Sequence, residues 1–337
     1  MLNQSHPVLE ALVENLNFGE LLSSPTQVHG GLLHTMWRIE VPKGIYAVKQ
    51  ISKDIRLTPR VIKAYELSEQ IAARFKEHGI PAVNALTFNR KHLIKIEDTG
   101  FLIYPWVNAT SLDKDTVFEI KATKIAAMLA KMHRLNLQIP ECEPSEFDVH
   151  SSQKIIALID KASKEQCDFA PLLAEQKKWL IECNEKYQQA IVALSSMSVI
   201  SHGDCDQKNV LWDIDNNPIL IDWESARRLN PSYEIVNAAL DWSGITTQQF
   251  NKALFQSMIK TYVQEGGKFK TQDLTAPVYG VFGNWINWMV YNIERACDSD
   301  SQEQRKMGAD QVTQVIQTLL TLESEKQGLI QFIQRCT

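Results

Sequence analysis

Apolar residues alternate with polar ones near the start of the chain, and farther along they recur at intervals of three and four residues. The first pattern is typical of β-strands and the second of amphipathic helices. Residues 35–51 predict two short strands joined by a turn at residues 42–44. Residues 92–97 and 101–107 predict two more strands, and Pro105 should end the pairing of the last one, because proline cannot donate to a β-ladder.

A helical pattern covers residues 59–78, with Pro59 in its first turn and Gly79 directly after its end. Longer helical patterns follow at 115–135, 171–195, 248–265, 280–297 and 303–323. Between them, residues 198–223 contain two short apolar runs that are typical of strands. The chain therefore predicts an α+β fold in which a small β-rich N-terminal lobe precedes a large, mostly helical C-terminal lobe.

The 337 residues have ordinary globular composition, with 44% hydrophobic and 22% charged residues. The net charge of −5 argues against a nucleic-acid partner, since such proteins usually present a basic face. Residues 1–104 carry a net charge of +2 and the remainder −7. An acidic larger part suits a cationic ligand, although solvated surface carboxylates explain the same excess.

No apolar run is long enough for a membrane span, and the N-terminus has no charged-then-apolar leader, so we expect neither a membrane partner nor secretion. The six cysteines show no C-x-x-C pair and should be reduced thiols in a cytoplasmic protein. They are Cys142, Cys167, Cys183, Cys205, Cys297 and Cys336.

The strongest chemical signal is the pattern H-G-D-x4-N that begins at His202 and includes Asp204 and Asn209. Asp222 follows at the end of an apolar run. Phosphoryl transfer from a nucleotide needs a carboxylate that accepts the proton of the attacking hydroxyl, and an asparagine and a second carboxylate that hold Mg²⁺. Asp204 fits the first role, and Asn209 and Asp222 fit the second. The alternative is a polar loop whose acids and amides only cap turns.

This stretch resembles the aminoglycoside phosphotransferase and choline kinase family, which consists of small-molecule kinases with the bilobed protein-kinase-like fold. The HGD start and the IDWE end favour this family over protein kinases. The resemblance is sharp only at residues 201–224. It implies Asp204 as the catalytic base, Asn209 and Asp222 as Mg²⁺ ligands, and His202 as a structural organiser of the loop.

The N-terminal lobe should then supply a lysine for the nucleotide phosphates, and Lys49 stands at the end of a predicted strand. Such a lysine needs a carboxylate partner on a helix. Glu69 and Glu66 are the candidates on helix 59–78. The resemblance favours Glu69, because it precedes Gly79-Ile80-Pro81 by the spacing that the family's helix shows before its own proline. Gly30 and Gly31 lie where a loop over the nucleotide is expected, although a plain turn explains two glycines equally well.

Residues 105–110 should form the hinge between a nucleotide-binding lobe, residues 1–104, and a catalytic and substrate-binding lobe, residues 111–337. The resemblance implies that Tyr104, Trp106 and Val107 contact the adenine ring. Backbone recognition leaves no residue signature, so ATP and GTP both remain open.

The phosphate acceptor should meet residues beyond Asp222. Glu224 would point to the same side as Asp222 if the segment is extended. Asp241 and the helical stripe that contains Trp285 and Trp288 are further candidates, although an aromatic stripe is more often core. Aromatic faces beside carboxylates would suit an ammonium-bearing acceptor.

The sequence thus predicts a cytoplasmic, Mg²⁺-dependent kinase that phosphorylates a hydroxyl of a small, amine-bearing molecule. A protein kinase is disfavoured because no activation segment with an APE-like end follows Asp222. A kinase-fold binding protein without catalysis is disfavoured because Lys49, Asp204, Asn209 and Asp222 are all present. The identity of the acceptor and the oligomeric state stay open.

Overall fold

The computed structural model describes residues 6–28, 33–112, 118–143, 147–271 and 273–337. The chain divides into two compact units. The first unit comprises Met1–Leu112, Ile139–Cys142 and Lys208–Ala226, and the second comprises Asp113–Gln138, Glu143–Gln207 and Arg227–Thr337. The units differ from the expected lobes mainly in residues 208–226, which group with the first unit, and the hinge at 105–110 stays a prediction.

The strands, in chain order, are β1 Thr26–Val28, β2 Thr35–Val41, β3 Gly44–Gln50, β4 Ile94–Ile96, β5 Thr99–Pro105, β6 Thr110–Ser111, β7 Val199–Ser201, β8 Val210–Trp212, β9 Pro218–Leu220 and β10 Arg227–Leu229. The helices are α1 Pro7–Asn15, α2 Pro59–Glu77, α3 Glu119–Leu135, α4 Ser152–Lys164, α5 Ala170–Ser195, α6 Pro231–Trp242, α7 Lys252–Gln264, α8 Ala276–Asp298 and α9 Gln302–Cys336.

An antiparallel sheet with the order β1-β2-β3-β5-β4 forms the body of the first unit. The alternation read from residues 35–51 is confirmed, because β2 and β3 pair across the turn. The expectation that pairing stops at Pro105 is also confirmed. Val48 on β3 and Ile103 on β5 are fully buried in the core on one side of this sheet.

Helix α2 begins and ends where its sequence predicts. The Thr58 hydroxyl accepts a hydrogen bond from the Val61 N–H, which caps the N-terminus before Pro59. Gly79 adopts φ +73° just beyond the last turn. Near that end Phe75 stacks on Trp223 with the ring centres 5.5 Å apart. The helix is thereby anchored to the segment that follows β9.

The second unit is mostly helical, with β7 and β10 as an antiparallel pair. Helices α8 and α9 approach closely at Gly308, where a Cβ atom would stand 2.7 Å from the Ala296 backbone nitrogen. Helix α9 runs to Cys336, well beyond the predicted end at 323, and α3 is described only from residue 119. Helices α1, α4 and α6 were not predicted. In the described residues, no helix has the length and apolarity that crossing a membrane requires.

Candidate active site

Lys49 on β3 lies between two carboxylates of the first unit. Its Nζ atom donates to Asp222 Oδ1 at 2.9 Å and to Glu224 Oε1 at 2.6 Å. Strands β2 and β5 pair with β3 on its two sides, so the lysine backbone is fixed, and the residue is only 6% exposed. Burial disfavours the charged ammonium, but the charges of Asp222 and Glu224 outweigh it and raise the pKa of Lys49.

Asp222 has an unusual backbone conformation. It follows β9 with φ 59° and ψ 67°, a left-handed geometry that few residues other than glycine, asparagine and aspartate adopt. Residues 223–225 then form one 3₁₀ turn. Asp222 and Glu224 do point to the same side, as expected, but a turn and not an extended segment brings them to Lys49. Backbone outliers of this kind concentrate at functional sites.

Glu224 also accepts a hydrogen bond from His34. The Ser52 N–H donates to His34 Nδ1 at 3.2 Å, so Nδ1 carries no proton and Nε2 does. Nε2 lies 3.1 Å from Glu224 Oε2 and 3.3 Å from the Tyr65 hydroxyl. Burial alone would raise the pKa of Glu224, but the bond from His34 and the charge of Lys49 lower it to about 2.

Asn209 and Asp222 lie at the same end of the β8–β9 hairpin. Val210 pairs with Leu220, and the Ile221 N–H donates to the Asn209 carbonyl oxygen at 3.0 Å. An amide and a carboxylate provide the oxygen ligands that Mg²⁺ prefers, and this ion needs only one or two protein carboxylates because water and phosphate complete its shell. The donor set therefore fits Mg²⁺, and the metal role of both residues remains a prediction.

The expected ion pair between Lys49 and a glutamate of α2 is not formed. Glu69 instead accepts hydrogen bonds from the Ala85 N–H at 2.6 Å and from the Tyr104 hydroxyl at 2.7 Å. Burial raises the pKa of Glu69 despite these bonds. Glu66, the alternative, accepts from two backbone N–H groups, those of residues 92 and 93. The two carboxylates tie α2 to the segment before β5, and Lys49 takes its partners from the turn after β9.

The three residues predicted to contact adenine have different surroundings and hydrogen bonds. Tyr104 is buried and directs its hydroxyl to Glu69, so its side chain belongs to the core. The Trp106 N–H donates to the Ile45 carbonyl oxygen at 3.1 Å. Within the part of the chain that the structure describes, the Val107 N–H has no hydrogen-bond acceptor, which leaves it able to donate to a ligand. Gly30 and Gly31 lie outside the described residues.

In the second unit, Glu234 on α6 holds the loop that contains Asp204. Its carboxylate accepts from the Gly203 N–H at 2.8 Å and bonds to His133 Nε2 at 2.6 Å. Tyr262 reaches the other ring nitrogen of His133 at 2.8 Å. Burial would raise the pKa of Glu234, but the bonds from His133 and Gly203 lower it. His133 and Glu234 thus support the loop from α3 and α6.

Three more bonds fix the same loop. The Asp204 N–H donates to His202 Nδ1 at 3.3 Å, as expected of a histidine that organises the loop. The Trp242 indole N–H donates to the Cys205 carbonyl oxygen at 2.8 Å. The side chain of residue 207 donates to the Asp241 carbonyl oxygen at 2.8 Å. Residues of α6 thus position the loop at several points, which is the arrangement that a catalytic base requires.

The residues expected to bind the acceptor have different surroundings. The Asp241 side chain accepts from Asn237 at 3.0 Å on the same helix, α6. Trp288 donates to Gln311 of α9 at 3.1 Å and stacks on Tyr291, so its contacts are those of helix packing. The Trp285 indole N–H is buried and has no acceptor among the described residues, so the role of Trp285 in acceptor binding stays a prediction.

Sequence reasoning missed the contribution of His34 and Tyr65. His34 follows the glycine pair at residues 30–31, and nothing in that spacing indicated a contact with Glu224. Tyr65 gave no signal beyond its place on the buried face of α2.

The comparisons with known proteins identify the family and the fold. The family model described as "Phosphotransferase enzyme family" matches residues 24–264. No curated protein matches the sequence.

Solved structures resemble the chain over nearly its whole length. A spectinomycin phosphotransferase in complex with ADP and spectinomycin is 12% identical with a TM-score of 0.70, covering 93% of this chain and 98% of its own. A choline kinase from Streptococcus pneumoniae is 17% identical with a TM-score of 0.62 and the same two coverages, 93% and 98%. The macrolide 2′-phosphotransferase from Brachybacterium faecium is 13% identical with a TM-score of 0.57, covering 90% and 97%. The predicted protein-kinase-like α+β fold is confirmed.

Proposed function

The chain belongs to the phosphotransferase enzyme family, and from this premise we propose that it transfers the γ-phosphoryl group of ATP to a hydroxyl of a small, amine-bearing molecule with the help of Mg²⁺. The observation that carries the proposal is the buried Lys49 ammonium held between Asp222 and Glu224. Two carboxylates around one lysine, beside an asparagine on the same hairpin, form a site for polyphosphate and a hard cation.

Lys49 would exchange partners when the nucleotide binds. Its ammonium can donate to phosphate oxygens in place of Asp222, and this frees the Asp222 carboxylate for a metal ion. Bound Mg²⁺ would neutralise charge on the phosphates, and Asn209 and Asp222 are the residues that would hold it. Glu224 keeps the ammonium oriented, because its own pKa of about 2 leaves it ionised at neutral pH.

Asp204 is the proposed base. Its carboxylate would accept the proton of the acceptor hydroxyl while the hydroxyl oxygen forms a bond to the γ-phosphorus. The bond from that phosphorus to the bridging oxygen breaks, and ADP leaves with the electron pair. The bonds that hold residues 202–207 against α6 would keep Asp204 in place.

An amine-bearing acceptor is supported by the net charge of −7 beyond residue 104. The structural relatives named for spectinomycin and choline act on such compounds. Asp241 and Trp285 are the proposed contacts, since a carboxylate and an aromatic face suit an ammonium group. Glu224 was also expected there, but its bonds to Lys49 and His34 favour a place beside the phosphates. None of the six cysteines, all of which lie in the described residues, forms a disulfide, which is consistent with a cytoplasmic enzyme.

The direct test is an ATP- and GTP-consumption screen of the purified protein with amino alcohols, aminoglycosides, macrolides and neutral sugars. Asp204→Asn keeps the shape of the side chain but removes the proton acceptor, so turnover should fall about 10²-fold or more. Asp215→Asn, in the exposed turn between β8 and β9, is the matched control and should leave turnover unchanged. Equal turnover in both variants would remove Asp204 from the mechanism.

A binding test separates the metal role from catalysis. MgATP should raise the melting temperature of the wild type by mass action, and Asp222→Ala should lose this stabilisation. If MgATP stabilised the variant as much as the wild type, the metal assignment would be wrong. If the wild type bound MgATP but phosphorylated none of the acceptors, a binding protein without catalysis would be the better description.

A further inference from the structure

Two cysteines that are far apart in sequence meet in the second unit. Cys167 follows α4, and Cys297 is the penultimate residue of α8. Their Sγ atoms are 4.0 Å apart. The Glu165 carboxylate joins them, and one ligand atom from each of the three residues lies within 4.8 Å of the other two.

The turn after α4 holds Cys167 firmly. The Cys167 N–H donates to the Ala162 carbonyl oxygen at 3.0 Å, and the Gln166 N–H donates to the Ser163 carbonyl oxygen at 3.2 Å. These two bonds form a Schellman motif, in which the residue after the cap is usually glycine. Gln166 takes that place here with φ 56°. A long side chain in this conformation is uncommon, and the turn it allows places Glu165 and Cys167 toward Cys297.

The spacing of the sulfurs matches a shared metal better than a disulfide. In a tetrahedral Zn²⁺ site with Zn–S bonds of about 2.3 Å, two thiolate sulfurs lie about 3.8 Å from each other. A disulfide would require the sulfurs to approach to about 2.0 Å. The 4.0 Å separation therefore needs only a few tenths of an ångström of adjustment for zinc.

Two helix ends contribute negative charge at the site. Helices α4 and α8 both end here, and helix C-termini carry partial negative charge. Among the cations close by, Lys161 bonds to Asp298 and is 3.9 Å from Glu165, and Arg305 and Lys306 line the adjacent cavity. A divalent ion would neutralise the charge of the two thiolates and the carboxylate that bind it.

A cavity of about 780 Å³ reaches one of the three residues. Cys167 and Ala296 line it, together with residues from the start of α9, whereas Glu165 and Cys297 do not. An ion would thus reach the site from the side of Cys167.

We propose that Glu165, Cys167 and Cys297 bind Zn²⁺ and so connect the ends of α4 and α8. Two thiolates and a carboxylate are ligands that zinc accepts, and three protein ligands leave the fourth tetrahedral position to solvent. Each thiol releases its proton as it binds the ion. The site is made of residues that the phosphoryl-transfer proposal does not use, so the two proposals stand or fall separately.

Cobalt binding tests the proposal with a spectroscopic signal. The protein, reduced and freed of metal, should bind one Co²⁺ per chain with thiolate-to-cobalt charge-transfer absorption, and Zn²⁺ should abolish the absorption by displacement. Cys167→Ser removes a proposed ligand and should weaken Zn²⁺ binding about 100-fold or more. Even a residue that only hydrogen-bonds to a metal ligand contributes about 10- to 100-fold to metal affinity. Glu165→Gln, an exposed change, should weaken it about tenfold. Cys336→Ser, a cysteine at the far end of α9, is the matched control.

Three outcomes would overturn the proposal. The first is no charge-transfer absorption in the wild type, and the second is equal Zn²⁺ affinity in Cys167→Ser and Cys336→Ser. The third is oxidation of Cys167 and Cys297 to a disulfide at the same rate with and without excess Zn²⁺, because bound metal should protect both sulfurs. Cys167 is only half-buried, so its serine variant should fold, and circular dichroism checks this.

Discussion

Glu224 in the first unit and Glu234 in the second each accept a hydrogen bond from a histidine, and each has a lowered pKa although burial opposes it. Their other partners differ. Glu224 shares the Lys49 ammonium with Asp222, and its side chain is 25% exposed. Glu234 bonds to the Gly203 N–H, and its side chain is 5% exposed. A lysine side chain can turn to a ligand, whereas a backbone N–H in a fixed loop cannot.

The comparison shows that a glutamate bonded to a histidine serves two different purposes in this protein. In the proposed function, Glu224 would orient a lysine that exchanges Asp222 for an incoming phosphate. The partners of Glu234 hold a loop. The following substitutions test this distinction, from the largest expected effect to the smallest.

Glu234→Leu should give the largest loss of stability. It leaves the Gly203 N–H and His133 Nε2 without their buried acceptor, and breaking a buried pair on one side costs about 3–5 kcal/mol. Urea unfolding followed by circular dichroism measures the free energy. Glu224→Leu, at the more exposed carboxylate, should cost clearly less. Equal losses in the two variants would contradict the distinction between a carboxylate that holds a loop and one that orients a movable lysine.

Lys49→Met should act on nucleotide binding. A hydrogen bond between charged groups contributes about 1.5–3 kcal/mol, so the Kd of MgATP should rise roughly 10- to 100-fold. Isothermal titration calorimetry measures it. Lys53→Met, at an exposed lysine shortly after β3, is the matched control and should bind like the wild type. Unchanged affinity in Lys49→Met would show that the lysine only pairs with its carboxylates.

The pH dependence of stability should have opposite signs at Glu234 and Glu69. The folded-state pKa of Glu234 is lowered, so its stabilisation is present above the unfolded value of about 4.3 and is lost as the pH falls through the folded value. The folded-state pKa of Glu69 is raised, so its favourable contribution is present below about 4.3 and is lost as the pH rises through the folded value.

Unfolding free energies measured across this pH range test both signs. Glu234→Gln should flatten the curve on the acid side of about pH 4.3, and Glu69→Gln should flatten it above that value. In each variant the slope of the unfolding free energy against pH can change by at most about 1.4 kcal/mol per pH unit, because a single proton is involved. A variant that shifts the whole curve without changing its slope would assign the lost stability to packing and not to titration.

Tyr104→Phe should have the smallest effect. It removes one hydroxyl that donates to Glu69 and leaves the ring in the core, so the expected loss is about 1 kcal/mol in urea unfolding. Tyr291→Phe, at a tyrosine that is 49% exposed, should change nothing measurable. The pKa of Glu69 should rise further in Tyr104→Phe, because a hydrogen bond that lowers it is gone.

Much of the fold could be predicted where a local signal is complete. Helix α2 has a threonine cap, a proline in its first turn and a glycine after its end, and both ends were predicted to within one residue. Helix α6 begins with an equally good signal, since Asn230 caps it and Pro231 follows. It is buried on nearly all sides, however, and so lacks the polar face from which a helical period is read.

The site was predictable as a set of residues but not as a set of contacts. Spacing singled out Lys49, Asp222 and Glu69, since strand ends and helix positions are local properties. Two features decide which carboxylate contacts Lys49. One is the left-handed conformation of the residue after β9, and the other is the backbone N–H group that donates to Glu69. Both features lie far from Lys49 in the sequence, and the types of residues along the chain do not reveal them.

Helix α2 has a consequence for regulation. Protein kinases are switched by displacing the helix that pairs with the phosphate-binding lysine. Here Glu66 and Glu69 fasten the corresponding helix to neighbouring backbone, and Lys49 draws its partners from elsewhere. Displacing this helix would break the hydrogen bonds of both glutamates, which adds to the free-energy cost of such a switch. We therefore expect the turnover of the proposed kinase to follow the supply of its substrates.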